Sequence, residues 1–261
     1  MKIGIIGAGN MSAAITKGLI GAGTAPHDIF VSDISPEKLA DAASLGVQTG
    51  KNADAAKFGE AVIIAVKPNI YEKALPELAT HLTGKLVISI AAGITITFIS
   101  SLLPGARVVR LMPNTPALVG AGMTAISFAA PATQADADTV EKLFSALGKT
   151  VQVPESLMDA VVAVSGSGPA YVYMLIDAMA QGGVVQGLSK KDALLLAAQT
   201  ALGAAKMVLE TGEHPAVLCD NVCSPGGTTI AAVEALEKGG FRAAILDAEK
   251  KCAEKSAQLK R

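Results

Sequence analysis

Two short glycine-rich segments of this chain carry the residue types that hold an anion through backbone alone. Gly7-Ala8-Gly9 stands between an apolar run at 3–6 and a helical pattern that begins at Met11. The first glycine makes the tight turn and the second lets backbone approach a pyrophosphate. Asn10 and Met11, opening the helix, supply free N–H groups and a favourable dipole. Ser12 takes the third small position of the pattern, small enough to keep the helix close to a sheet. Gly7, Ala8, Gly9, Asn10 and Met11 are therefore candidate dinucleotide contacts. The second segment is Cys223-Ser224-Pro225-Gly226-Gly227-Thr228-Thr229. Its Gly-Gly pair exposes N–H groups, its hydroxyls add donors, and the helix opening at Thr228 or Thr229 favours an anion. As chemistry this is a cradle for a carboxylate or phosphate; the same residues also read as a loop with a threonine N-cap.

Three further segments lie where a dinucleotide would run. Ser32-Asp33-Ile34-Ser35 ends an apolar strand pattern at the place of an adenosine ribose. An acid there bonds ribose hydroxyls, whereas a 2′-phosphate calls for a cation or hydroxyls. Asp33 thus argues for NAD, and Ser32, Ser35 and Lys38 argue for NADP; Ser35 and Pro36 also read as ordinary turn and cap residues. Ala65-Val66-Lys67-Pro68 and Ala91-Ala92-Gly93 follow strands, and ligands of open parallel sheets bind outside the carboxyl ends of strands. Met112-Pro113-Asn114-Thr115-Pro116 ends another, with Asn114 offering an amide to a nicotinamide carboxamide.

The elements that must position these residues alternate through the first half. Strands are expected at 3–6, 29–32, 47–49, 61–66, 86–90, 108–112, 123–128 and 150–153. Helices are expected over 11–20, 36–45, 71–81, 97–103 and 136–147. This order predicts an α/β fold with a mostly parallel sheet covered on both faces. After Pro154 the pattern is helical only, at 157–164, 170–181, 190–210, 216–222, 229–238 and 241–259. The expected domains are residues 1–154, binding the dinucleotide, and 155–261, all helical.

Composition excludes other classes. Among 261 residues, 22 Lys and Arg nearly balance 23 Asp and Glu, which removes the electrostatic basis for binding nucleic acid or an anionic membrane. With no Trp and few Tyr and Phe, base stacking is not an expected mode of recognition. Gly and polar residues break each apolar stretch before the ~20 residues a membrane span needs, so no membrane segment is expected. Cys219 and Cys223 resemble half a metal site, but no second pair accompanies them, so the reduced structural reading is preferred and no metal is expected. A cytoplasmic protein is the simplest account.

Taken together, these residues resemble the pyrroline-5-carboxylate reductases over essentially the whole chain. The resemblance is carried by Gly7-Ala8-Gly9-Asn10-Met11, Ala65-Val66-Lys67-Pro68, Met112-Pro113-Asn114-Thr115-Pro116, Ser165-Gly166-Ser167-Gly168-Pro169-Ala170-Tyr171, Glu213-His214-Pro215 and Ser224-Pro225-Gly226-Gly227-Thr228-Thr229. It departs at Ser12, where that family usually has Gly, and at Asp33, which blurs the family's frequent preference for NADPH. The resemblance implies an N-terminal Rossmann-like domain and a C-terminal helical dimerisation domain. It also implies a homodimer that can build rings, with each site where one protomer's cofactor domain meets its partner's 224–229 loop.

The implied activity is reduction of 1-pyrroline-5-carboxylate to L-proline by hydride from NADPH or NADH, the last step of proline biosynthesis. On this reading Ser224 and the backbone of Gly226, Gly227 and Thr228 hold the substrate carboxylate, and Thr229 bonds the ring nitrogen as the catalytic residue. The cofactor contacts are Gly7, Ala8, Gly9, Asn10, Met11, Ser32, Asp33, Ser35, Ala65, Val66, Lys67, Pro68, Ala91 and Asn114. No His, Lys or carboxylate stands out as a general acid, which suits an imine that arrives protonated. Two alternatives remain. One is a hydroxy-acid or keto-acid reductase, which would need an acid such as Lys190, Lys191 or Lys206; the other is a non-catalytic NAD(P)-sensing module.

Overall fold

The structure, a computed structural model, describes residues 1–260. Among these, the first half builds strands β1 (Ile3–Ile6), β2 (Ile29–Ser32), β3 (Gln48–Gly50), β4 (Ala61–Ile64), β5 (Leu86–Ser89), β6 (Arg107–Met112), β7 (Gly122–Phe128) and β8 (Gly148–Gln152). Between them lie helices α1 (Asn10–Gly21), α2 (Pro36–Ala43), α3 (Asn52–Phe58), α4 (Tyr71–Ala74), α5 (Ala79–Leu82), α6 (Ile96–Leu102) and α7 (Gln134–Phe144). The strands form one sheet in the order β3-β2-β1-β4-β5-β6-β7-β8, parallel throughout except where β7 runs against β6. The order reverses direction between β1 and β4, which opens a crevice at the carboxyl ends of those strands.

The central strands IGII, AVII and LVIS are buried at every position, as strands covered on both faces must be. Their side chains alternate between two cores. Ile3, Ile5 and Ile63 pack with Ile15 and Leu19 of α1 and with Val140 and Phe144 of α7. Ile6, Val62 and Ile64 pack with Ala55 and Ala56 of α3, Leu75 and Ile99. Gly4 lets α3 lie directly on β1, since a Cβ there would run into the Ala55 carbonyl. The helix expected over 71–81 is broken into α4, a 3-10 turn Pro76–Leu78 and α5, because Pro76 cannot donate the backbone bond that would continue α4.

The expected boundary was residue 154. By compactness the chain divides between Ser167 and Gly168, and it rejoins the first unit from Cys252 onward. The change of texture at 154 marks where strands end, while residues 155–167 remain fastened to the sheet unit. Glu155 accepts from Arg110 at 2.9 Å and from the Ile96 N–H at 2.8 Å. Ser256 donates to Asp159 at 2.8 Å, and the Cys252 thiol lies 3.1 Å from the Ser167 hydroxyl. This segment contains α8 (Met158–Val161) and a π-helical turn, Val162–Gly166.

The second unit, Gly168–Lys251, is built on α9 (Gly168–Val185), α10 (Lys190–Thr211), α11 (Pro215–Val222), α12 (Thr228–Lys238) and the first part of α13 (Phe241–Gln258). α9 and α10 pack around Ala180, Ala193 and Ala197, a core of three small side chains. Much of the remaining apolar surface is open, with Met174 73% and Leu195 65% exposed. By length and composition Glu155–Val185 and Lys190–Thr211 could each cross a membrane. Gly and polar residues interrupt both apolar runs, as expected, without ending the helical course of the chain.

Candidate functional site

The crevice at the reversal of strand order has a volume of about 280 Å³ and is bordered by Gly7, Gly9, Asp33, Ala65, Val66 and Lys67. Gly7 is required there twice over. Its φ is +102°, and a Cβ would sit 2.8 Å from the Ala65 carbonyl oxygen. At Gly9 the reason is different, because a Cβ there would meet nothing in the protein. The space it leaves is open to a ligand. Gly9 also caps α1 without a side-chain bond, so the amides of the first turn, at Asn10, Met11 and Ser12, have no helical acceptor. A diphosphate fits this arrangement of bare glycine and free N–H donors. Ile34, 97% exposed, and Ile70 offer apolar surface beside it.

Asp33 borders the crevice with its carboxylate engaged by backbone. Its Oδ2 accepts from the Ala8 N–H at 2.7 Å and its Oδ1 from the Ser35 N–H at 2.9 Å. Burial pushes its carboxyl up, but those two donors, with Lys38 nearby, outweigh that and hold it below its ordinary value. Ser32 is fully buried, its hydroxyl 2.9 Å from Asn52 Oδ1. Ser35 caps α2 by accepting from the Lys38 N–H. Lys38 borders both the crevice and an adjoining groove of about 530 Å³, which Ala8, Asn10 and Ser35 also line.

A third cavity, about 480 Å³, follows the ends of β4 and β5 and is lined by Pro68, Ala92, Gly93, Ser167, Cys252 and Lys255. Asn114 stands apart from it. Its Nδ2 donates to the Ser165 carbonyl at 3.0 Å and its Oδ1 accepts from the Met123 N–H at 2.8 Å. The amide therefore clamps the loop after β6 to the π-helical turn.

In the second unit the segment after α11 forms a tight turn. The Gly227 N–H donates to the Ser224 carbonyl at 3.0 Å, with Pro225 second and Gly226 third at φ +68°. These are the residues such a turn demands, since only glycine takes the left-handed region freely. A side chain at 227 would overlap the Ser224 hydroxyl. Gly227 caps α12 with no side-chain bond, leaving the first-turn amides of Thr228, Thr229 and Ile230 without helical acceptors. His214 caps α11 by accepting from the Ala216 N–H at 3.2 Å.

A curated pyrroline-5-carboxylate reductase of Methanosarcina acetivorans is 48% identical to this chain, over 99% of it and 97% of the relative. The chain belongs to the pyrroline-5-carboxylate reductase family. A family model described as pyrroline-5-carboxylate reductase dimerisation matches residues 155–259, and one described as NADP oxidoreductase, coenzyme F420-dependent, matches residues 2–93. The solved reductase from Coxiella burnetii is similar throughout, at TM-score 0.94 and 36% identity, covering 100% of this chain and 98% of that one. The Plasmodium falciparum enzyme, solved with NADP bound, has TM-score 0.91 and 30% identity, covering 100% of this chain and 98% of that one.

Against this family background, the structure sorts the residues singled out in the sequence. Gly7, Gly9, Asp33, Ala65, Val66 and Lys67 gather in the crevice, Ala8, Asn10 and Ser35 beside it, and Pro68 at the next cavity. Met11 packs its side chain on the core, and Ala91 is buried, with Ala92 and Gly93 lining the cavity in its place. Ser32 and Asn114 spend their side chains inside the protein. The Ala8 and Gly227 N–H groups are likewise committed, so neither is a free donor for an anion. Asn52, at the start of α3, borders the crevice and was missed. The signal was present, because Asn52 follows the carboxyl end of the strand expected at 47–49.

Proposed function

We propose that this protein reduces 1-pyrroline-5-carboxylate to L-proline, completing proline biosynthesis, with NADPH as donor and NADH as an alternative. The observation that carries the reading is a construction used twice. α1 and α12 each open on a glycine cap without a side-chain bond, so each presents a row of unpaired N–H groups to an anion. One suits the diphosphate of a dinucleotide and the other the carboxylate of a small acid. The Plasmodium falciparum relative, solved with NADP, supports the first assignment.

The reduced nicotinamide supplies a hydride when bound; the protein's residues bind and orient. The first-turn amides at Asn10 and Met11 hold the diphosphate in the space beside Gly9. Ser35 and Lys38 serve the 2′-phosphate, and Ala65, Val66, Lys67 and Pro68 border the dinucleotide as it crosses the strand ends. Ser224, Thr228 and the turn through Gly226 and Gly227 hold the substrate carboxylate. The protonated C=N carbon takes the hydride, its π pair becomes the nitrogen lone pair, and Thr229 keeps a hydrogen bond to that nitrogen throughout. Loss of NADPH absorbance on adding the cyclic imine tests the proposal. Turnover of a keto acid but not of the imine would overturn it.

The working form is a homodimer joined through residues 155–261, the helical dimerisation and substrate domain, with one protomer's cradle serving its partner's crevice. The dimerisation family match and the uncovered face of α9 and α10 support this. A second copy covers that face better than a bilayer would, because Asp177 and Lys206 lie within the two helices and charges are costly in hydrocarbon. A ring of dimers would extend the same assembly. The three unpaired thiols support a reducing, cytoplasmic setting.

A further inference from the structure

An acid at the end of the second strand of a dinucleotide-binding sheet ordinarily bonds the ribose hydroxyls and disfavours a 2′-phosphate. Asp33 occupies that position, but its side chain is already engaged. One oxygen takes the Ala8 N–H at 2.7 Å and the other the Ser35 N–H at 2.9 Å. The carboxylate thereby links the glycine loop after β1 to the turn that opens α2. Charge-assisted bonds of this kind are among the stronger ones available, so the carboxylate is held in this orientation.

The consequence for the loop is specific. Gly7 is anchored by its N–H to the Ser32 carbonyl at 2.7 Å, and Asp33 holds the next residue. The left-handed turn at Gly7 is thus fixed from both sides, which sets where Gly9 and the first turn of α1 point. The groups left to face a 2′-phosphate are Ser35, at the α2 cap, and Lys38, which borders the crevice.

We infer that Asp33 is a positioning residue that holds the glycine loop in its dinucleotide-binding shape, and that it does not choose between NADPH and NADH. The inference rests on reading the crevice as the dinucleotide site.

Equilibrium titration of NADPH and NADH, followed by the fluorescence of the reduced nicotinamide in this Trp-free protein, separates the possibilities. Asp33→Ala removes the strut, Asp33→Glu keeps the charge but misplaces it, and Asp33→Asn keeps an acceptor for the Ala8 N–H. The Ala and Glu variants should each weaken both dinucleotides by about tenfold or more, leaving their ratio within about threefold of the parent protein. The Asn variant should recover a large part of the loss. In steady state the loss should fall on KM for the dinucleotide and spare kcat. A shift of about tenfold or more toward NADPH in the Ala and Asn variants, with Glu keeping the parent ratio, would overturn the inference. So would unchanged binding of both dinucleotides by the Ala variant. Failure of the unsubstituted protein to bind either dinucleotide would instead remove the reading on which the inference rests.

Discussion

Arg110 of β6 pairs with Glu155 at 2.9 Å across 45 residues of chain, its own side chain only 2% exposed. The same carboxylate oxygen takes the Ile96 N–H, so one side chain ties the middle of the sheet, the start of α6 and the segment leaving β8.

Removing the carboxylate strands a buried guanidinium, which typically costs 3–5 kcal/mol for a fully buried pair. Glu155 is partly exposed, so Glu155→Ala should cost about 2 kcal/mol. Glu155→Gln keeps the acceptor and should cost less than about 1 kcal/mol. Urea unfolding checks both; an Ala variant as stable as the parent would show that the pair contributes nothing.

The two glycines of the dinucleotide loop should fail in different ways when changed to alanine. Gly7→Ala meets a positive φ and the Ala65 carbonyl, so it should destabilise the first unit by at least about 1–2 kcal/mol. Gly9→Ala meets nothing and should melt as the parent does. Its methyl group enters the ligand space, so NADPH affinity should fall about tenfold or more. Calorimetry beside cofactor titration separates the two outcomes.

Thr229 should act on the chemical step. Gly227 rather than a threonine caps α12, so Thr229→Val removes a hydroxyl without uncapping the helix. kcat should fall roughly ten- to a thousandfold, with NADPH affinity and melting temperature little changed. A variant that melts lower yet keeps its kcat would return Thr229 to a structural role.

Acid should reveal Asp33. Its carboxyl is held below the ordinary 3.8 in the folded chain, and a depressed value stabilises the fold above the unfolded value. That contribution is lost as pH falls through the folded value. The stability difference between the parent and Asp33→Asn should therefore be flat from about pH 5 to 8 and shrink below about pH 4. A difference that persists at lower pH would exclude the charge as its source.

Met174 and Leu195, exposed in the single chain, should be covered in the dimer. Replacing both by Asp should convert a dimeric sedimentation boundary into a monomeric one and abolish turnover. An active single-chain species would refute the dimer.

The strands were legible because a buried parallel strand is a continuous apolar run, as IGII and AVII are. The glycine loop and the 224–229 turn were legible because their residue types are sterically demanded. α3 escaped because its contribution is two buried alanines over seven residues, too short to show a period. The direction of a side chain was not legible at all. Asp33, Ser32 and Asn114 all stand at strand ends, as expected, yet the polar atoms of each bind a backbone or side-chain partner that comes from elsewhere in the chain. Spacing gives the position of a residue along its element, and only the packed neighbours decide what its polar atoms bind.

The core of the helical unit is three alanines with Ile176 against them. So small an interior cannot offset the conformational entropy of ordering some eighty residues, and a lone copy has little to close around. In the proposed dimer, folding of this half would be second order in protein: completed at encounter, with an equilibrium that obeys mass action. Its melting temperature should rise with concentration, and dilution should unfold these helices as it separates the chains. The sheet half, with two full cores of its own, would be left standing.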